Sequence, residues 1–499
     1  MVSFLSKYNL PKITLVLSCL LLTIIFLFNP HYIYTTGLVD QWFAVKGLTI
    51  YKQFNEFHFP FGYLTSIALR LATNWNLELD PFFGLFFGIG MLIILYKIGT
   101  KFLTPIGNIV SLLFFTLFFW YAATGIIYYD EILIGFLVSV LLFFVLNFNL
   151  KNSKIVSKQT LFLIGIIFAL TEFTGQIVTL TLGVFFLYLT RSIYQFKKPL
   201  SIFLSAYIPL IIGVVLIIII FSSYFIFHNA FQDFFYYNVI YYIQYAGYEK
   251  NLLGLPKDQI VYFYSPMLIM VLIILVGLFK KKQIVQTQVF LLISSLSTIP
   301  FIIFSVYHPH HFSYALPILA ITAGACIDFK EKSTLLKAIS CTMILIPSCI
   351  AIIAIIPWHT SRIVFPPSMK IFNDVYPQDN NPINQISAWL KVNASSDSKI
   401  LVVGSPIVYI KTNLLPASRP AKGMPEGWEP LDKIKAEILA TPPDYWIVDQ
   451  NFIKRLVVSY HKPAMGNFVE EEINKCYLRT METHDWEIWK RNLSCKIDP

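Results

Sequence analysis

The chain has 499 residues, 56% of them apolar and 13% charged, with a mean hydropathy of +0.64. This composition excludes a soluble globular domain and requires lipid as solvent. The formal net charge of +10 does not indicate nucleic acid, because the Lys and Arg residues fall in short clusters between apolar runs, where they act as topology signals.

Apolar runs near the ~20 residues needed to cross a bilayer occur at 12–29, 81–98, 104–122, 131–149, 160–171, 174–190, 200–224, 263–279, 287–306, 312–328 and 336–357. They predict an α-helical polytopic membrane protein with about eleven transmembrane helices. The first run follows Lys7 and Lys12 and has no small-residue cleavage site, so it reads as an anchor rather than a cleaved leader. The run from Phe59 to Ala72 spans only about 14 residues and opens with Pro60 and Gly62, too short for a crossing, so it reads as a re-entrant or interfacial helix. Leaving it out places Lys97 and Lys101, Lys151 with Lys154 and Lys158, Arg191 with Lys197 and Lys198, Lys280 to Lys282, and Lys330 with Lys332 on one side. That side is cytoplasmic by the positive-inside rule, and the N-terminus shares it. The short runs around Glu172 read as a helical hairpin with its apex at Thr171 to Gln176; one broken span is the alternative.

An odd number of spans makes everything after Trp358 extracytoplasmic. The expected organisation is therefore a transmembrane domain at 1–358, carrying a first outer loop at 30–80, and a small extracytoplasmic α/β domain at 359–499. Within that domain strands are expected at Lys399 to Val403, at Tyr445 to Asp449 and near Trp486 to Lys490, and a helix at Leu431 to Leu439. Gly404-Ser405-Pro406 reads as an ordinary strand-to-helix turn rather than a phosphate loop. Cys476 and Cys495 flank a segment able to form a hairpin, and both a disulfide and two free thiols are open. Cys19, Cys326, Cys341 and Cys349 lie in apolar runs as small packing residues.

Three polar constellations fall on the outer side under this topology. They are the first loop with Asp40, Lys46, Glu56 and His58, the stretch Tyr128-Tyr129-Asp130-Glu131, and the stretch from Tyr307 to Tyr314 with His308, His310 and His311. Ionisable side chains at a bilayer edge are costly to keep, so such a gathering marks a functional site. Each also has a structural alternative. Asp40 and Asp130 could cap helices, the histidines could be satisfied interfacial residues, Glu172 could serve its hairpin, and the aromatic run Phe231 to Tyr248 could be an interfacial belt.

The order of these features resembles a known superfamily. One span, a long first loop with Asp40, the stretch His58, Pro60, Tyr63 and Leu64, a second Asp at Asp130, a short hairpin, and His311 with Tyr314 and Pro317 are together similar to the GT-C glycosyltransferases. Within them the chain is most similar to the protein O-mannosyltransferase and aminoarabinose transferase branch, glycosyltransferase family 39. The resemblance covers nearly the whole chain. It implies an inverting glycosyltransferase of the inner or plasma membrane that takes its sugar from a polyprenyl-phosphate donor on the outer face. The acceptor would be an envelope lipid, a glycan or a protein, and no nucleic acid is involved. Asp40 matches the family's first-loop catalytic Asp, His58 and Pro60 its His-Pro-Pro or Glu-Lys-Pro-Pro element, and Asp130 its second-loop Asp. Gln41 stands where many relatives carry a second acid, Phe61 where they have the second proline, and Glu172 where the hairpin residue is often Lys.

Such a donor needs a carboxylate to deprotonate the acceptor hydroxyl and a cation at the departing phosphate. Asp40 suits the first role, with Asp130 in support. Lys46, Arg70, His58 and the pair His310 and His311 are candidates for the second, and Glu56, Glu131, Glu172 and Tyr314 complete the substrate-binding set. No organic cofactor is called for. A divalent metal ion remains open, with Glu56, His58 and His311 as candidate ligands. The rival readings are a transporter or flippase for a lipid-linked glycan, which would often show inverted repeats, an oligosaccharide ligase or polymerase, and a nonenzymatic scaffold.

Overall fold

A computed structural model of the protein describes residues 9–28, 31–33, 35–54, 59–75, 80–122, 129–148, 157–194, 200–240, 272, 286–298, 313–327, 369–371, 381–419, 431–458 and 463–495. The chain forms two compact units. The first comprises Met1–His31, His58–Ser223 and Glu249–Met369, the second Tyr32–Phe57, Tyr224–Tyr248 and Lys370–Pro499.

The described helices in chain order are α1 (Leu10–Phe28), α2 (Thr35–Val45), α3 (Pro60–Ala72), α4 (Asp80–Phe102), α5 (Pro105–Ala122), α6 (Tyr129–Phe148) and α7 (Lys158–Glu172). They continue with α8 (Thr179–Tyr194), α9 (Leu200–Phe227), α10 (Phe231–Phe235), α11 (Gln286–Ser297), α12 (Leu316–Ile327), α13 (Pro382–Asn393), α14 (Ile407–Thr412), α15 (Leu431–Ala440), α16 (Gln450–Val458) and α17 (Pro463–Cys476). The strands are β1 (His31–Ile33), β2 (Met369–Ile371), β3 (Lys399–Val403), β4 (Leu415–Pro416), β5 (Tyr445–Asp449), β6 (Tyr477–Thr483) and β7 (Trp486–Arg491).

The described residues of the first unit are almost all helical, so their backbone hydrogen bonds close mostly within each segment, as lipid demands because it offers no partners. Among the described residues, Phe82–Phe102 and Tyr207–Phe227 are long and apolar enough to cross a membrane, and five further apolar helices have 10 to 17 residues. The candidate spans at 263–279 and 336–357 lie outside the described residues, apart from Leu272. On α9, Ile208, Ile212, Ile219 and Ile220 are each more than half exposed, a surface that would aggregate in water and suits hydrocarbon.

The centre of this unit is α12, whose every residue is buried and which packs against α4, α5, α6 and α11. Lipid tails are as apolar as leucine, so helices associate through close packing and interhelical hydrogen bonds instead of water exclusion. Both devices are present. A methyl group at Gly324 would stand 2.4 Å from the Gly107 carbonyl oxygen, and one at Gly165 would stand 2.1 Å from that of Leu210, so these helices meet backbone to backbone. Buried hydroxyls link α8, α11 and α12, with Thr181 Oγ1 3.0 Å from Ser297 Oγ and Ser295 Oγ 3.0 Å from Thr322 Oγ1.

The second unit contains a five-stranded mixed sheet in the order β4-β3-β5-β7-β6. Strand β3 runs parallel to β4 and β5, and the β6–β7 hairpin adds on antiparallel through β7. All five residues of β5, the middle strand of the sheet, are buried, as expected of a strand covered on both faces. Trp446, Leu401, Val403 and Val448 pack with Ile434, Ile438, Phe468, Val469 and Ile473 from the surrounding helices. The expected strands and the helix near 431 are all present, and Cys476 and Cys495 form a disulfide. Gly404 forms the strand-to-helix turn after β3. Its φ of 146° is one that L side chains rarely adopt, and a Cβ there would meet Trp486 and Asp449, so the turn is filled by packing.

Candidate active site

Within the first unit, four of the features singled out in the sequence meet. Pro60 opens α3, where its missing N–H costs nothing and its fixed φ suits a first helical position. The next residue, Phe61, donates its N–H to the Phe173 carbonyl at 2.8 Å, which ties the start of α3 to the hairpin apex. Rings reinforce the joint: Phe173 stacks on Phe221 with centroids 4.8 Å apart, and Phe59 and Phe61 pack on this pair. Glu172 accepts a 2.6 Å hydrogen bond from Thr179 Oγ1 and so closes the apex between α7 and α8.

Helix α3 also packs against α6. Asp130 is the second residue of α6, in the first turn rather than at the cap position. The positive end of the helix favours an anion there. Glu131 is buried at 5% exposure, and its carbonyl accepts from Ser313 Oγ at 2.9 Å. One turn later, a methyl at Gly135 would lie 2.6 Å from the Ser313 carbonyl oxygen. Tyr314 follows Ser313, is fully buried, and donates its hydroxyl to the Thr298 carbonyl at 3.0 Å. The segments carrying Pro60, Asp130, Glu172 and Tyr314 are therefore joined by contacts with named partners. Arg70, in the last turn of α3, is only 3% exposed. A guanidinium buried to that degree in a membrane protein marks either a phosphate contact or a fixed ion pair.

The second unit holds Asp40 and Lys46. Asp40 is the sixth residue of α2, well inside it, so the helix-cap alternative fails for this residue. It is 1% exposed, between Val39 and Gln41, which are also buried. Keeping a carboxylate in such surroundings costs free energy that a solvent-facing position would avoid. Helix α2 packs on α14 of the C-terminal α/β domain, with Phe43 and Tyr409 in edge-to-face contact at 5.1 Å. Tyr409 is itself fully buried, its hydroxyl accepts from Val402 N–H at 3.1 Å, and burial pushes its pKa upward. Lys46 is exposed one turn beyond, its ammonium 5.4 Å from the Trp42 ring centroid.

The described part of the aromatic run Phe231 to Tyr248, up to residue 240, is partly built into this unit. Tyr237 is fully buried and stacks with Tyr51 at 6.3 Å, while Phe231 and Phe235 on α10 remain exposed. Arg419 lies 5.1 Å from the Tyr237 centroid and forms an ion pair with Glu437, and Lys433 lies 4.8 Å from Tyr236. Lys52 reaches the His228 carbonyl at 3.3 Å. Arg419, Lys433 and Tyr409 escaped the sequence reading because nothing in their local pattern separates them from ordinary domain residues; only the packing of remote segments gives them neighbours. Ser313 belongs to the stretch Tyr307 to Tyr314 singled out in the sequence, and its bond to the Glu131 carbonyl links that stretch to the one carrying Asp130.

Glu56, His58, His310 and His311 lie outside the described residues. Among the described residues, no group of three His, Cys, Asp or Glu side chains is arranged to hold a metal ion.

No protein-family model matches the chain, and no curated protein sequence matches it. Solved structures match it in fold. ArnT from Cupriavidus metallidurans bound to undecaprenyl phosphate aligns over 97% of this chain and 98% of its own, with TM-score 0.56 and 10% identity. The archaeal oligosaccharyltransferase AglB from Archaeoglobus fulgidus, in complex with an inhibitory peptide and a dolichol-phosphate, aligns over 96% of this chain and 74% of its own, with TM-score 0.55 and 10% identity. The chain has the GT-C fold. Apo ArnT gives TM-score 0.52 at 11% identity over 97% of this chain. The superfamily resemblance read from scattered motifs is thus matched by an end-to-end likeness of backbone. At this identity the likeness lies in the path and packing of the chain, and roles for individual side chains must be argued from their own surroundings.

Proposed function

We propose that the protein is an inverting glycosyltransferase of GT-C type that moves a sugar from a polyprenyl-phosphate donor to an envelope lipid, glycan or protein on the outer face of the inner or plasma membrane. The observation that supports this most is the likeness in fold, over nearly the full length of both chains, to a protein bound to undecaprenyl phosphate. The apolar composition fits the same reading, because an isoprenoid tail can stay in the bilayer while only its head enters the site.

In this mechanism Asp40 orients the acceptor hydroxyl and removes its proton as the anomeric carbon is attacked, and Asp130 supports it. The phosphate leaves with its bond electrons and gains negative charge as the bond breaks. Arg70, Lys46, His58, His310 and His311 are the candidates to stabilise that charge. Glu56, Glu131, Glu172 and Tyr314 shape or hold the substrate pocket, the last two by fixing the hairpin apex and the start of α12. Any divalent ion would fall to Glu56, His58 and His311. The N-terminus is cytoplasmic and the C-terminal domain extracytoplasmic in this scheme, and reporter fusions after Lys282 and after Pro499 should give opposite signals.

A second reading, oligosaccharide transfer, is favoured by the likeness to AglB. One experiment separates the two. Purified protein is incubated with a panel of polyprenyl-monophosphate sugars and lipid-diphosphate oligosaccharides in the presence of membrane-lipid and peptide acceptors. Consumption of one monophosphate donor is expected. Consumption only of diphosphate-linked oligosaccharide would select the second reading, and no consumption of any donor would reject both.

A further inference from the structure

A groove of about 430 Å³ lies between α7 and α9, away from the hairpin apex and the start of α3. It is lined by Lys158, Gln159, Phe162, Ile208, Pro209 and Ile212. Four of these six are apolar, and they include Ile208 and Ile212, each 54% exposed on the surface that suits hydrocarbon. Pro209 stands inside α9, where it has no N–H to give the helix ladder. The other two residues are polar, exposed and placed together in the first turn of α7, and Lys158 is the sole charge in the lining. An apolar trough ending in one ammonium and one amide matches a molecule with a hydrocarbon tail and an anionic head.

We propose that this groove binds an anionic phospholipid of the leaflet next to the α7 N-terminus, with an acyl chain along Phe162, Ile208, Pro209 and Ile212 and its phosphate at Lys158 and Gln159. Charge complementarity selects the anionic lipid over a zwitterionic one. The trimethylammonium of phosphatidylcholine offsets the attraction of its phosphate for Lys158, whereas phosphatidylglycerol has no such group. A single Lys near an anionic headgroup corresponds to about a fivefold preference. Two backbone contacts hold the walls together: a methyl at Gly165 would meet Leu210, and one at Gly213 would stand 2.3 Å from the Phe162 carbonyl oxygen. The groove is therefore fixed by the α7–α9 crossing.

The test is native mass spectrometry of the full-length protein in a neutral detergent, titrated with phosphatidylglycerol or with phosphatidylcholine of the same acyl chains. The tightest-bound lipid should show about a fivefold preference for phosphatidylglycerol. Lys158→Glu should abolish that preference. Because Lys158 is exposed, this variant should fold as the parent does. Ile212→Trp, which fills the trough, should weaken both lipids and leave their ratio unchanged. Equal affinities in the parent, a preference that survives Lys158→Glu, or no effect of Ile212→Trp would each overturn the proposal. Displacement of the lipid by excess inorganic phosphate would also overturn it, since the site would then bind a soluble anion.

Discussion

Replacing Asp40 by Asn tests the catalytic reading and the structure together. The substitution keeps the side chain's size and removes its charge at a position that is 1% exposed in the interior of α2. Asp and Asn have similar helix propensity, so the local backbone has no reason to change. At so buried a position the lost charge also changes whatever the carboxylate contacts, so stability is measured beside turnover. Turnover should fall. A general base contributes about 100- to 10,000-fold in rate, equivalent to about 3 to 5 kcal/mol of barrier. The assay is donor-saturated turnover alongside thermal unfolding of the same preparation, with donor affinity measured separately. The expected pattern is unchanged donor binding and a loss of turnover in that range at temperatures where the variant is fully folded, and Asp130→Asn should cost less and act more on binding. Near-parental turnover in Asp40→Asn would refute the assignment. A fall in melting temperature that accounts for the lost activity would make Asp40 a packing residue.

Three other outcomes are expected. Gly165→Ala must push its methyl from 2.1 Å to at least 3.0 Å from the Leu210 carbonyl, and should lower the melting temperature through an overpacking cost of about 1 to 3 kcal/mol, whereas Gly183→Ala, with nothing within 4 Å, should not. Thiol labelling of denatured, unreduced protein should leave Cys476 and Cys495 unlabelled, and Cys476→Ser should destabilise the C-terminal domain by about 3 kcal/mol for a bridge across 19 residues. Burial pushes the Tyr477 hydroxyl, which donates to the Pro443 carbonyl at 3.0 Å, up to about 12. Its contribution is fully present below the unfolded value near 10 and is lost as pH rises toward 12. Melting curves between these limits should therefore fall less steeply for Tyr477→Phe than for the parent, and identical slopes would count against the shift.

The sequence by itself determined the solvent and the helical class, and its scattered motifs pointed to the fold that the solved structures share. Lipid imposes apolar runs of near-fixed length, and the α/β domain announces itself by a change of composition after Trp358. It also determined the local turns: Pro60 at a helix start, the Glu172 apex, and the strand-to-helix turn at Gly404 all follow from single-residue conformational preferences that act over a few neighbours. The hairpin between Cys476 and Cys495 was legible for the same reason, since its strands are adjacent in the chain, but the bond itself was not.

Only the tertiary structure decided which segments share a unit. The sequence divides most simply at residue 358, yet Tyr32–Phe57 and Tyr224–Tyr248 cluster with Lys370–Pro499. That grouping rests on Phe43 against Tyr409 and on Tyr237 against Tyr51 and Arg419, contacts between residues far apart in the chain. The same holds for Asp40, where an Asp at a loop edge reads equally as cap or catalyst, and the extent of α2 and its burial removed the first option. Periodicity and propensity are properties of neighbours along the chain, whereas burial depends on what the rest of the molecule brings to the other side.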